Sequence, residues 1–341
     1  MPSLTGPLAA ALGLAAAFAL DRLCAARGLL PPGFREPWRR VVAGLVVAGF
    51  LGAAVFLPLA AAVTGAVVEP PNLSKIDNFQ LFELHVIMIA VMAFWLLLGF
   101  AGLPEPERAA AAVPVPPAPQ TPEWEGLPVD VGLPPPEAPP PLPPSPPPPS
   151  PPPAAVPLGR QLLAQLGFLA PDVPREIGIG LTLGLGAWLA VLAALIAIAG
   201  VLIAVGAKDL VPQQPPALVP LIAALPFGIR LAVSLSAGIV EETFFRGFLQ
   251  PRIGIVLSTA FFALAHLSYQ QPFMLVGITL LSLIYAFLVR WRQSIWAAIA
   301  AHALFDGVQL LVVVPMVLKL IHGTGAGAAG KTAAAVLGLL G

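Results

Sequence analysis

Long apolar runs separated by short polar turns constrain this chain more than any other feature. A helix crossing ~30 Å of hydrocarbon needs roughly 20 apolar residues. Runs near that length fall at 4–20, 41–68, 82–103, 177–207, 217–245, 253–268, 273–289 and 294–317, the first, sixth and seventh being short. Inside a bilayer each backbone N–H and C=O must find its partner within the protein, which makes such runs helices. The expected fold is all-α: a polytopic transmembrane helix bundle of about eight spans. Composition agrees, because 58% of residues are hydrophobic and only 10% charged, so the lipid bilayer is the expected solvent and partner. A formal net charge of zero argues against a nucleic-acid partner. The single cysteine, Cys24, excludes an intrachain disulfide. No basic stretch precedes the apolar residues 1–20, so the first run is expected to be a retained helix rather than a cleaved leader.

Arginine distribution orients the spans. Segment 21–40 carries Arg22, Arg27, Arg35, Arg39 and Arg40, which assigns it to the cytoplasm. Eight alternating crossings then put Arg246 and Arg252, and later Arg290 and Arg292, on that same side. The opposite loops, 69–80, 208–216 and 269–272, carry only Lys75 and Lys208 as basic residues.

Residues 104–158 break the pattern, holding about two dozen of the 42 prolines. Proline lacks an amide donor and has a fixed φ, so this stretch is expected to be a disordered, extended spacer in the cytoplasm. A PxxP ligand for a partner that binds proline-rich segments is the alternative. The chain thus divides into an N-terminal three-span unit (1–103), a proline-rich linker (104–158) and a C-terminal membrane domain (159–341).

Ionisable residues within spans are costly, by roughly 2.5–3.5 kcal/mol each, and mark function by default. Here they form three groups: EETFFR from Glu241 to Arg246, FALAH ending at His266, and HALFD from His302 to Asp306. Glu242 and Arg246 stand at i and i+4, so they share a helix face and can pair. Glu241 lies about 100° round the helix, which leaves it to face something else. His302 and Asp306 are also i, i+4. With a turn near Pro251, Glu241 and His266 sit roughly 15 and 20 Å above it, and His302 and Asp306 roughly 15 and 21 Å above Arg292. All four fall in one layer. Two chemistries fit. Glu241, His266 and His302 could hold a divalent metal such as zinc, with a position left for water. Alternatively Glu241 and His266 activate water directly, while His302 and Asp306 serve the oxyanion and leaving group. Glu83 and His85, at the mouth of the third span, read as interfacial residues without a role in the site. The phenylalanines at 244, 245, 261 and 262 read as packing.

On these residues the sequence resembles the CPBP family of CAAX prenyl proteases and bacteriocin-processing (Abi) proteins. The family pattern is EExxxR, FxxxH, then HxxxN or HxxxD on successive membrane helices, and here it reads EETFFR, FALAH and HALFD. The resemblance covers about 217–317. It implies an intramembrane endopeptidase, multi-pass in a bacterial plasma membrane, that cuts near the C-terminus or leader of a membrane-associated peptide or protein. Glu241 would be the catalytic carboxylate and Glu242 with Arg246 its orienting pair. His266 would help activate water, and His302 with Asp306 would complete the site. The competing class is a non-catalytic immunity or scaffold protein of the same fold, or a carrier. A carrier would favour matching repeats, and the sequence shows none.

Overall fold

The computed structural model describes residues 4–66, 77, 79–103, 157–212, 218–269 and 271–324. The expected linker, apart from Pro157 and Leu158, and the tail beyond Thr324 lie outside these residues. Among the described residues there are helices and turns but no strands. The elements used below are α1 (Thr5–Ala26), α2 (Pro37–Leu51), α3 (Leu57–Thr64), α4 (Glu83–Phe100), α5 (Leu158–Gln165), α6 (Val173–Ala204), α7 (Leu218–Ala224), α8 (Phe227–Glu242), α9 (Gln250–Ala265), α10 (Pro272–Arg292), α11 (Trp296–Gly307) and α12 (Val314–Thr324). Three π turns, over Gly52–Phe56, Thr243–Leu249 and Val308–Val313, join α2 to α3, α8 to α9, and α11 to α12.

Local chemistry sets several boundaries. Asp172 caps α6 by accepting from the Arg175 N–H at 3.0 Å, and Pro174 occupies the first turn, where a missing N–H costs nothing. Gln293 stops α10 in the left-handed region at φ 54°, after a last turn whose Arg290 and Arg292 complement the negative end of the helix dipole.

Among the described residues seven helical stretches are long and apolar enough to cross a membrane, against about eight expected. The difference lies in the expected fifth and sixth spans, which form one hydrogen-bonded stretch, Phe227–Ala265. That stretch is not straight. Gly254 has φ 85° and ψ 172°, a conformation open to glycine because it lacks a Cβ. Seventeen residues of straight helix would separate Phe245 from Phe262 by about 25 Å, yet their ring centroids are 5.0 Å apart. The chain therefore reverses at Gly254, three residues past the proline where the turn was expected.

The arginine-bearing turns gather at one end of the bundle. Arg27 Nη1 donates to the Arg252 carbonyl at 3.1 Å. Arg39 Nη1 donates to the carbonyls of Leu98 and Ala101, at the end of α4. Arg40 pairs with Asp21, and Arg292 with Glu176 at the start of α6. The Ile295 N–H donates to the Gly167 carbonyl at 3.1 Å.

Helix α11 is the central element of the C-terminal part. Ala297 and Ala298 are fully buried and Ala301 is 1% exposed. A Cβ on Gly184 of α6 would lie 2.7 Å from the Ala301 Cα, and one on Gly238 of α8 would lie 2.9 Å from the Ala303 N. Small residues let these backbones approach, the usual basis of helix packing where lipid removes the hydrophobic drive. The N-terminal helices share a core with the α8–α9 hairpin. Phe50 meets Phe244 at 5.3 Å and Trp95 meets Phe248 at 5.1 Å, both edge to face. Phe244, Phe245 and Phe262 are buried in this cluster and Phe261 packs against it, so the four phenylalanines are packing residues.

Candidate active site

Glu241 and Glu242 close α8, and the backbone then widens into the π turn at Thr243–Leu249. A second π turn begins two residues after Asp306. Such turns recur at functional sites because they re-aim the side chains around them. The carbonyl of Leu310 in the second one accepts from Arg230 Nη1 at 2.9 Å, which gives the intramembrane arginine of the fifth expected span a partner at one of its nitrogens.

The i, i+4 spacing of Glu242 and Arg246 yields the expected pair. Arg246 Nη1 donates to Glu242 Oε1 at 2.9 Å, with the two side chains 1% and 0% exposed. The same Oε1 lies 2.7 Å from His302 Nδ1. Arg246 Nη2 donates to Ser282 Oγ of α10 at 3.0 Å, and the guanidinium sits 4.2 Å over the Phe262 ring. A buried ion pair needs further partners to offset its desolvation; Glu242 Oε2 has none among the described residues, but through the other atoms Arg246 and Glu242 together tie α8 to α9, α10 and α11.

Glu241 is in a different position. Its side chain retains 15% exposure where that of Glu242 has none. Oε1 contacts His85 Nε2 at 3.4 Å. Oε2 is buried and has no hydrogen-bond partner among the described residues. Adjacent carboxylates thus have separate surroundings: each leaves its Oε2 without a partner among the described residues, but Glu242 is enclosed against Arg246 and His302 while Glu241 meets the His85 imidazole and keeps some exposure.

The histidines of the second and third motifs flank Phe262. The His266 Nδ1–H donates to the Phe262 carbonyl at 2.7 Å, which fixes the tautomer and makes Nε2 the basic nitrogen. Its ring lies 4.7 Å from that of Phe262, and the His302 ring lies 6.1 Å from it. His302 Nε2 is 3.5 Å from Asp306 Oδ2, and the His302 ring stacks on Tyr285 at 5.3 Å. The expected polar layer is therefore assembled from α8, α9 and α11.

The donor set expected for a metal is not assembled as one. Among the described residues no cluster of three or more His, Cys, Asp or Glu side chains is grouped as a metal site would be. The two nitrogens of His302 instead face Glu242 and Asp306.

One reading of the sequence needs correction. Glu83 is exposed as expected for an interfacial residue, but His85 is buried and reaches Glu241. Its Nδ1 is 2.8 Å from Ser236 Oγ of α8. A signal for this existed: fifteen residues of helix above Phe100, at the arginine-bearing end, put His85 at about 22 Å, the depth of His266. Ser282 and Tyr285 were also missed, and nothing in their local sequence distinguishes them from packing residues.

Residues 223–308 match the model of the type II CAAX prenyl endopeptidase Rce1-like family. Over this segment the chain is similar to CAAX-protease domains. The matched segment runs from the end of α7 to just past Asp306 and holds all three motifs, but none of α1 to α4. Its family is one of intramembrane endopeptidases, and the apolar helices make the chain an integral, multi-pass membrane protein. No curated protein and no solved structure matches the chain at a significant level.

Proposed function

We propose that the protein hydrolyses a peptide bond near the C-terminus or leader of a membrane-associated peptide or protein, with Glu241 as general base. The observation that supports this most directly is the contrast between the neighbouring carboxylates: each has an Oε2 without a hydrogen-bond partner among the described residues, but Glu242 is ion-paired to Arg246, shared with His302 and 0% exposed, while Glu241 meets the His85 imidazole and keeps 15% exposure. A general base must be able to take a proton from water at hydrogen-bond distance. Water held between Glu241 Oε2 and His266 gives up a proton as its oxygen attacks the scissile carbonyl carbon. His302 and Asp306 line the same layer, where they assist the oxyanion and the departing amine. The captured proton passes to the amine nitrogen as the C–N bond breaks. The family's name makes a prenylated CAAX peptide the first substrate to try, and a bacteriocin-type precursor in a bacterial plasma membrane the second.

The test is cleavage in detergent of a farnesylated peptide ending in a CAAX tetrapeptide, with thermal melting as the folding control. Glu241→Gln keeps shape and volume but cannot act as a base. It is expected to melt like the parent and to lose at least about 100-fold in kcat, the lower end for general-base catalysis. Parental turnover in that variant would refute the assignment. A cellular phenotype that survives the loss of cleavage would favour the non-catalytic scaffold instead.

A further inference from the structure

The match to the CAAX-protease family ends well short of α4, yet α4 delivers a buried imidazole to the site. We infer that His85 is a positioning residue for Glu241, so that the N-terminal helices complete the active site rather than merely accompany it. This rests on the reading of Glu241 as the base.

Three observations carry it. First, His85 is buried in a helix whose remaining buried residues are apolar apart from Gly99, among them Met88, Val91, Met92 and Trp95. A lone polar side chain on such a face is costly unless it is hydrogen-bonded. Second, both ring nitrogens of His85 face polar groups of a single other helix, α8: Nδ1 is 2.8 Å from Ser236 Oγ and Nε2 is 3.4 Å from Glu241 Oε1. With the Ser236 hydroxyl donating to Nδ1, the ring proton sits on Nε2 and points at the carboxylate. Third, the contact engages Oε1 and leaves Oε2 as the oxygen without a partner. A carboxylate gripped by one oxygen cannot spin about its terminal bond, so the other oxygen keeps a fixed direction. The grip comes from another helix, and its precision therefore depends on how α4 packs against the α8–α9 hairpin, through Trp95 on Phe248 in the π turn and the shared aromatic core.

The role predicts a loss in turnover rather than in substrate binding. In the full-length protein in detergent, with the farnesylated CAAX peptide as probe, His85→Met removes the donor but keeps apolar volume. It is expected to lower kcat by about 10- to 100-fold, the span seen when a supporting hydrogen bond to a functional group is lost, with KM within about twofold of the parent. His85→Gln, whose side-chain amide can donate from nearly the position of Nε2, should recover most of that loss. Ser236→Ala should lower kcat by about tenfold, and combined with His85→Met should add little to it, because both act through one contact. Parental kcat in a folded His85→Met protein would overturn the inference, as would His85→Gln no better than His85→Met. If His85→Met fails to fold, Ser236→Ala decides, and parental kcat there overturns it. Glu241→Gln run alongside separates the two levels. An inactive Glu241→Gln with a fully active His85→Met removes only the positioning role, whereas an active Glu241→Gln, or no cleavage by the parent, removes the base assignment and this inference with it.

Discussion

Two ion pairs show how differently the halves of this molecule use charge. In the N-terminal half Arg40 meets Asp21 at 2.6 Å with side chains 33% and 26% exposed, at the bundle end where the arginine-bearing turns gather. In the C-terminal half Arg246 meets Glu242 at 2.9 Å with 1% and 0% exposed. The distances are similar, but the surroundings are not. The first pair stays in reach of water and lipid headgroups, so losing a partner is offset by solvation. The second has nothing else to solvate it, and each charge depends on the other and on Ser282, His302 and the Phe262 ring. The first and last spans differ in the same way, although Val173–Ala204 of the C-terminal half is as little buried as the first. The most apolar window of Thr5–Ala26 is 22% buried inside the protein, that of Trp296–Lys319 50%. The early helix spends its surface on lipid, the late one on protein, and intramembrane charge sits where protein encloses it.

The comparison can be broken by experiment. Arg246→Ala should have the largest effect on stability, destabilising by about 3–5 kcal/mol because it strands a buried carboxylate. Glu242→Gln combined with Arg246→Ala should restore much of that, though not activity. Equal losses in the single and double variants, read from thermal melts in one detergent, would mean that the pair is not the reason. Next comes packing around α11. Gly184→Val forces a side chain into the backbone of Ala301, whereas a Cβ on Gly186, two residues along the same helix, meets nothing within 4 Å. Gly184→Val should therefore cost about 1–3 kcal/mol or more by overpacking, and Gly186→Val should leave melting close to the parent. Similar melts for the two would sink the view of α11 as the tightly held centre. The smallest effect is expected for Arg40→Ala, at most about 1 kcal/mol as for other exposed pairs. A loss as large as that of Arg246→Ala would erase the distinction between the halves.

Much of this was legible beforehand. Apolar length gave the helices, and the arginines indicated which turns share an end. Fixed rise per residue set Glu241, His266, His302 and Asp306 in one layer, and i, i+4 spacing paired Glu242 with Arg246. These follow from the sequence because they depend only on the geometry of single helices and on the thickness of the membrane. Other features were decided by tertiary structure alone. Gly254 rather than Pro251 carries the reversal. Glu242 serves Arg246 and His302 through the same oxygen. His85 faces Glu241 although 156 residues of chain separate them. Helical periodicity says which residues share a face of one helix, but not which helix that face will meet. That choice belongs to packing, where glycines such as Gly184 and Gly238 admit a neighbouring backbone and aromatic pairs such as Trp95 with Phe248 hold the α4 face against the α8–α9 hairpin.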